Sequence, residues 1–351
     1  MPSKDPTKKR IHASSLDKTE RLDPSEIPAG VIGLGLMGTS IIACLLAAGH
    51  PVVGVTRNLA KHPHAKRHAL ALLKQMVREG LLKRSPDKLI RNFTVSEDYA
   101  SLANCQIIIE SIIENLETKK ETLARVEQVV LPETLIGSNT SSIPVTILQE
   151  GTRHPERIMG IHWAEPAHVT RFMEIICGKE TRIDYAERVV AMARHWGKEP
   201  SLLRRDIRGF ITNRIMYAML REAFYLVENG YATIEDVDRS LRNDYGYWIT
   251  FAGPFRYMDL TGIPAYRAVM KDLWPELSCE TKVPPLMEKL VQSGARGVSN
   301  AQGFYSYTPE EAENWEKLFL KFTYDIRALA MKYPEEIGKR TGRSKGKTKH
   351  S

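Results

Sequence analysis

No apolar stretch of this 351-residue chain is long enough to cross a bilayer. The longest wholly apolar run, residues 41–48, is closed by Gly49-His50 and falls far short of the ~20 residues a membrane helix needs. Cysteine is scarce as well. Its four positions, Cys44, Cys105, Cys177 and Cys279, lie far apart with no CxxC spacing and no histidine cluster beside them. That pattern excludes a disulfide framework and a zinc site, and it fits a reducing cytoplasm. The N-terminal MPSKDPTKKR lacks the apolar core of a secretory signal, and Asp5, Asp17 and Glu20 argue against a transit peptide.

What is present is ordinary for a globular protein: 42% hydrophobic and 26% charged residues exclude a disordered or fibrous chain. Single cores usually stop growing near ~250 residues, so two domains are expected. The net charge of +8 has two readings. Much of the excess sits in Lys8-Lys9-Arg10 and in the run from Lys339 to Lys349, as solvated tails would have it. A cationic surface also attracts phosphate-bearing ligands. Neither reading requires nucleic acid, and no nucleic-acid partner is expected.

From residue 30 onward short apolar runs alternate with amphipathic stretches, the pattern of a parallel sheet covered by helices. Strands are predicted at 30–33, 52–55, 106–110, 135–138, 158–161 and 172–176, and helices at 37–48, 65–80 and 116–130. After the strand-like residues 200–203 the period changes. Ile215, Met216, Met219, Leu220, Ala223 and Leu226 recur at helical spacing, and Thr233 followed by Glu235-Asp236 opens another helix. The expected organisation is a loose tail over 1–27, a Rossmann-type nucleotide-binding α/β domain over 28–206, an all-α C-terminal domain over 207–335 and a basic tail over 336–351.

Gly33-Leu34-Gly35-Leu36-Met37-Gly38 is a GxGxxG placed directly after the first strand and opening the first helix. The motif provides a tight turn, close backbone approach to a pyrophosphate and N–H groups aimed at the anion. An NAD site usually adds an acidic residue at the end of the second strand, to bind the ribose 2′-hydroxyl. Here that strand ends in Thr56-Arg57-Asn58, with no carboxylate. A hydroxyl followed by a guanidinium suits a 2′-phosphate, so NAD or NADP is expected, with Arg57 favouring acceptance of NADP; a surface role for Arg57 is the competing reading.

Four segments in order resemble the 3-hydroxyacyl-CoA dehydrogenase family. They are GLGLMG at 33–38; ESIIENLETK at 110–119 with Ser138-Asn139-Thr140-Ser141-Ser142; Gly160-Ile161-His162-Trp163-Ala164-Glu165-Pro166 running on to Glu174; and Gly209-Phe210-Ile211-Thr212-Asn213-Arg214. The likeness continues through Glu222-Ala223, Gly253-Pro254-Phe255 and Gly303-Phe304-Tyr305, so it covers about residues 28 to 307.

The residues carry an argument of their own. Oxidising an alcohol by hydride transfer needs a base for the hydroxyl proton, and histidine suits neutral pH. His162, at the end of a strand-like segment, is the candidate, and a hairpin-like return would bring Glu174 to its second ring nitrogen. The resemblance assigns the same pair as a catalytic dyad. It implies further that Ser141 hydrogen-bonds the reacting oxygen and the cofactor, that Asn213 orients substrate and histidine, and that Glu114 and Lys119 contact the dinucleotide. By themselves Ser141 and Asn213 read as helix caps, and Glu114 and Lys119 as solvated helix residues. Three positions depart from the family: Thr56 replaces the acidic ribose ligand, Glu165 an asparagine at the nicotinamide pocket, and Ser299 a lysine before Gly303-Phe304-Tyr305. A carboxylate at Glu165 would favour the imidazolium if it lay close to His162.

The resemblance implies an acyl-CoA substrate and a homodimer, the latter resting also on the apolar helix 213–228. Lys66, Arg67, Lys74 and Arg78 would meet CoA phosphates or form a solvated face; Tyr245, Tyr247, Trp248 and Phe251 would line an acyl pocket or bury a contact. A sugar-acid or carnitine-type 3-hydroxy acid dehydrogenase shares the same histidine and asparagine and stays open. The 3-hydroxyisobutyrate and 6-phosphogluconate dehydrogenase group places a lysine four residues before its asparagine, where Gly209 stands here. A nucleotide-binding protein without turnover needs only the glycines, and the presence of Ser141, His162, Glu174 and Asn213 together argues against it.

Overall fold

The computed structural model describes residues 23–57 and 62–333. The chain divides into two compact units, one ending at Ile207 and the other beginning at Arg208.

In the first unit the chain runs β1 (Ala29–Ile32), α1 (Leu36–Ala48), β2 (Val52–Val55), α2 (His62–Arg78), α3 (Pro86–Leu89), β3 (Phe93–Ser96), β4 (Ile107–Glu110), α4 (Leu116–Glu127) and β5 (Leu135–Ser138). It continues through α5 (Val145–Gln149), β6 (Ile158–Trp163), β7 (Phe172–Cys177), α6 (Ile183–His195) and β8 (Glu199–Leu203). The strands form one sheet in the order β3-β2-β1-β4-β5-β6-β7-β8. Every neighbouring pair is parallel except β6 and β7.

Apolar residues dictate this arrangement. Ile107 and Ile109 enter the core on one face with Ile41, Leu45 and Trp196, whereas Ile108 enters the other with Leu123, Val126 and Leu148. A strand apolar on both sides is stable only with helices on both faces. From β3 at the sheet edge the chain crosses back to β4, which lies beside β1. That reversal makes a switch point between β1 and β4, where doubly wound sheets bind ligands at the carboxyl ends of their strands. The first helix stops where expected, because Gly49 adopts φ +117 and its N–H caps Leu45 and Leu46.

Two features differ from the sequence-based expectation. β3, α3, α5 and α6 join the predicted elements, whereas the hairpin-like return is present as expected, an antiparallel pair of six-residue strands. Residues 23–27, expected within a loose tail, are ordered: Pro24–Glu26 forms a 3-10 turn, Ile27 is buried, and its carbonyl oxygen lies 2.7 Å from Nδ1 of His50. The remaining tail expectations, over 1–22 and 336–351, lie outside the described residues, as does Asn58.

The second unit is helical: α7 (Thr212–Glu228), α8 (Ile234–Asn243), α9 (Tyr245–Phe251), α10 (Gly253–Thr261), α11 (Ile263–Leu273), α12 (Pro285–Gln292) and α13 (Pro309–Ala330). Thr233 caps α8 by accepting the Asp236 N–H, and Thr308 with Glu311 forms a capping box on α13.

Candidate active site

The glycine loop between β1 and α1 has the shape of an anion cradle. Gly33 holds φ +95, a conformation side chains rarely adopt. A Cβ on Gly38 would overlap the Gly33 carbonyl, so this glycine sets how closely helix and loop pack. A Cβ on Gly35 would meet nothing within 4 Å. Gly35 is also the N-cap of α1 and supplies no side chain to the first N–H groups of the helix, which is the arrangement that receives a phosphate. The residues present therefore fit a dinucleotide, with the loop of Gly33, Leu34, Gly35, Leu36, Met37 and Gly38 around its pyrophosphate. Thr56 and Arg57 follow β2 at the same sheet edge; the Thr56 N–H donates to Ser96 and Arg57 is exposed.

The next strand ends carry a buried polar chain. Glu110, at the carboxyl end of β4, is fully buried and accepts from Lys119 Nζ (2.7 Å), Ser138 Oγ (2.5 Å) and the Ile112 N–H (2.8 Å). Lys119, in the first turn of α4, is fully buried too and lies 3.4 Å from the second carboxylate, Glu114. One oxygen of Glu114 accepts from Thr140 Oγ1 (2.6 Å) and from the backbone N–H groups of Ser141 (2.9 Å) and Ser142 (3.0 Å). Burial pushes the Glu114 carboxyl up, but the Thr140 hydroxyl, Lys119 and the two backbone donors outweigh it and hold the group below the usual carboxylate range. Ser141 is outside α5, whose N-cap is Pro144, so the helix-cap reading of Ser141 does not apply. Asn139 ties the same strand ends together: its Oδ1 accepts the Trp163 N–H and its Nδ2 donates to Ser111 Oγ.

His162 and Glu174 are directly paired in the β6–β7 register. Nδ1 of the imidazole lies 3.0 Å from Oε2 of the carboxylate, both side chains are buried, and the Phe172 ring stands edge-on to the imidazole at 5.3 Å. Glu165, three residues beyond His162, is exposed, and partial desolvation pushes its carboxyl up. Asn213 belongs to the second unit. It lies inside the first turn of α7, whose N-cap is Ile211, so it is not the cap of that helix.

Sequence reasoning missed three members of this neighbourhood: Glu110, Ser138 and Asn139. The signal for Glu110 was there, because a carboxylate closing the apolar strand Ile107-Ile108-Ile109 must be paired to be buried. The roles of Ser138 and Asn139 had no such signal.

A doubly wound sheet with a glycine cradle at its switch point defines a dinucleotide-binding protein. The chain belongs to the 3-hydroxyacyl-CoA dehydrogenase family: residues 28–207 match its NAD binding domain and residues 209–307 its C-terminal domain. Among curated relatives, a 5-formyl-3-hydroxy-2-methylpyridine 4-carboxylate 5-dehydrogenase of Mesorhizobium japonicum is 29% identical over 81% of this chain and 91% of that protein. A probable 3-hydroxybutyryl-CoA dehydrogenase of Deinococcus radiodurans is 31% identical over 79% of this chain and 99% of that protein. The crystal structure of a 5-formyl-3-hydroxy-2-methylpyridine 4-carboxylic acid 5-dehydrogenase, described as an NAD+-dependent dismutase, superposes with a TM-score of 0.81 at 27% identity, over 87% of this chain and 98% of that one. No helix among the described residues is long and apolar enough to cross a membrane.

Proposed function

We propose that this chain is an NAD-dependent dehydrogenase that interconverts the 3-hydroxy and 3-keto forms of a small acyl-CoA, with His162 as the proton-transferring base. The observation that carries the reading is the buried His162–Glu174 pair on the same sheet edge as the glycine cradle. With Glu174 accepting from Nδ1–H, the imidazole presents its other nitrogen as a lone pair, ready to take the hydroxyl proton of an alcohol. In the reverse direction the imidazolium returns that proton to the carbonyl oxygen, and the buried carboxylate stabilises the cation meanwhile. A bound nicotinamide supplies the hydride acceptor or donor. Ser141 is proposed to hydrogen-bond the reacting oxygen, Asn213 to orient substrate, and Glu114 and Glu165 to face the nicotinamide end of the cofactor.

The cofactor of the family domain is NAD. We propose in addition that NADP(H) is accepted, on the ground that Thr56 and Arg57 stand where a carboxylate would repel a 2′-phosphate. A homodimer is proposed from the exposed Ile215, Met216 and Tyr217 on α7, and light scattering tests it. A cytoplasmic location is proposed from the four free cysteines, three of them buried.

A second reading of the substrate has its own support. The solved structure quoted above, with a TM-score of 0.81, belongs to an enzyme named for a pyridine carboxylate, so a small aromatic aldehyde or alcohol bearing a carboxylate is the alternative. NAD(P)H absorbance with acetoacetyl-CoA and with 5-formyl-3-hydroxy-2-methylpyridine 4-carboxylate, run side by side on the purified protein, tests both. Turnover of acetoacetyl-CoA supports the first reading, turnover of the pyridine alone replaces it with the second, and turnover of neither overturns both.

A further inference from the structure

We propose that Ser40 is a positioning residue: its hydroxyl ties the loop between β6 and β7, which carries Glu165, to the helix whose N-terminus receives the pyrophosphate. The inference rests on the function proposed above for the role of Glu165 at the nicotinamide end, but not for its geometry. Residues 164–171 join the strand of His162 to the strand of Glu174, and Ala167, His168 and Val169 in their middle are buried. Buried backbone needs partners for its N–H and carbonyl groups. Here the Pro166 carbonyl accepts the N–H groups of Val169 and Thr170, each at 3.0 Å. Nζ of Lys198, the residue before β8, donates to the carbonyl oxygens of Ala167 and Thr170. The His168 N–H reaches outside the loop, to Ser40 Oγ at 3.1 Å, and the same hydroxyl lies 2.8 Å from Nδ1 of that histidine.

Ser40 lies in the second turn of α1, two residues past Gly38. It is buried, and Ile41, Ile42 and Ala43 after it have no exposed surface. A hydroxyl in such apolar surroundings is costly unless it is hydrogen-bonded, and alanine would form the helix at least as well. What serine adds is a two-point link across 128 residues of sequence, between the loop and a helix that faces the cofactor. Lys198 holds the loop from the β8 side and Ser40 from the α1 side, so the place of Glu165, three residues before His168, follows that of the helix.

The test compares the full-length protein with Ser40→Ala, which removes only the hydroxyl. Calorimetric titration with NADH and with ADP-ribose, which lacks the nicotinamide, is the first measurement. The Kd for NADH is expected to rise by about tenfold or more, while that for ADP-ribose stays within about threefold of the parent. A general disturbance of α1 weakens both ligands alike, so an equal loss for the two, or a loss for neither, overturns the proposal. Hydrogen exchange read by mass spectrometry on the cofactor-free protein is the second. The His168 N–H loses its acceptor in the variant, so exchange across residues 167–170 is expected to quicken by about tenfold or more, while β6 and β7 keep their protection. Unchanged exchange in the loop overturns the proposal, and faster exchange through both strands as well reduces Ser40 to a merely structural residue and overturns it too. Neither measurement needs a substrate, so failure here leaves the dehydrogenase reading standing; that reading fails separately, by absence of turnover with either substrate.

Discussion

His162 and Glu174 face each other directly across the antiparallel β6–β7 pair, with Nδ1 of the imidazole 3.0 Å from the carboxylate. Backbone register places this pair. A slip of one residue would send one of the two side chains to the opposite face of the sheet, and the buried neighbours Ile161, Trp163, Met173 and Ile175 oppose such a slip. His162→Gln is therefore expected to fold, to bind NADH as the parent does, and to lose about 10²- to 10⁴-fold in kcat. Near-normal turnover would remove His162 from the mechanism.

Glu174→Gln probes the other half of the pair. The amide is nearly isosteric, yet it can donate to Nδ1 and so stabilise the tautomer whose other nitrogen carries the proton and is no base. A kcat loss on the order of 10²- to 10⁴-fold follows from the wrong tautomer, and Glu174→Asp is expected to recover part of it. Equal activity of the Gln variant and the parent would show that the carboxylate charge is not used.

The glycines separate folding from binding. Gly35→Ala adds a Cβ where the protein has nothing within 4 Å, so Tm should be unchanged, whereas the space it enters is the approach to the α1 N-terminus. NADH affinity is expected to fall by at least about tenfold. Gly38→Ala drives its Cβ into the Gly33 carbonyl and should lower both affinity and Tm. Thermal unfolding beside fluorescence titration checks the pair, and intact affinity in Gly35→Ala would place the pyrophosphate elsewhere.

Much of the nucleotide-binding unit was legible because its chemistry is local. The glycine motif, the C-capping Gly49 and the continuous apolar strands each announce themselves within a few residues. β3 did not, since only Phe93 of its four residues is fully buried at the sheet edge and no alternation marks it. The His162–Glu174 pair was readable as a hairpin, whereas the burial of Lys119 was not: a lysine in the first turn of a helix looks solvated until its partner on another strand is known. Contacts such as Ser40 with His168, 128 residues apart, have no trace in local pattern.

Cofactor choice turns on Thr56 and Arg57. A carboxylate at Thr56 would bind the 2′-hydroxyl and repel a 2′-phosphate, and its absence removes that repulsion. A charge-assisted hydrogen bond from Arg57 is typically worth ~1.5–3 kcal/mol, or about tenfold to a hundredfold in affinity. Steady-state kcat/KM should then be at least as high for NADP(H) as for NAD(H), with Arg57→Ala weakening NADP(H) selectively and Thr56→Asp restoring NAD(H) preference. A clear parental preference for NAD(H) would show that Arg57 points away from the ribose.

Acid stability should depend on His168, in the loop between β6 and β7. Its Nδ1 lies 2.8 Å from Ser40 Oγ on α1, and that hydroxyl also accepts the His168 backbone N–H. Nε2 is buried without a hydrogen-bond partner. Burial first, then the nearby positive charges of Lys198 and His68, push the imidazole from its ordinary 6.5 down to about 4. Protonation is thus far easier in the unfolded chain than in the folded one. The stabilisation is present above pH ~6.5 and is lost as pH falls toward about 4, where a shift of this size amounts to roughly 3 kcal/mol. Other groups titrate over the same range, His50 among them, whose imidazole burial also lowers, so the informative quantity is the difference between parent and variant. His168→Gln removes the titration but keeps a side chain able to hydrogen-bond Ser40. It is expected to be less stable than the parent at pH 7 and to lose less stability between pH 7 and pH 4.5, so that the two denaturation curves converge. Curves that stay parallel across that range would show that His168 is charged in the folded protein or exposed to solvent.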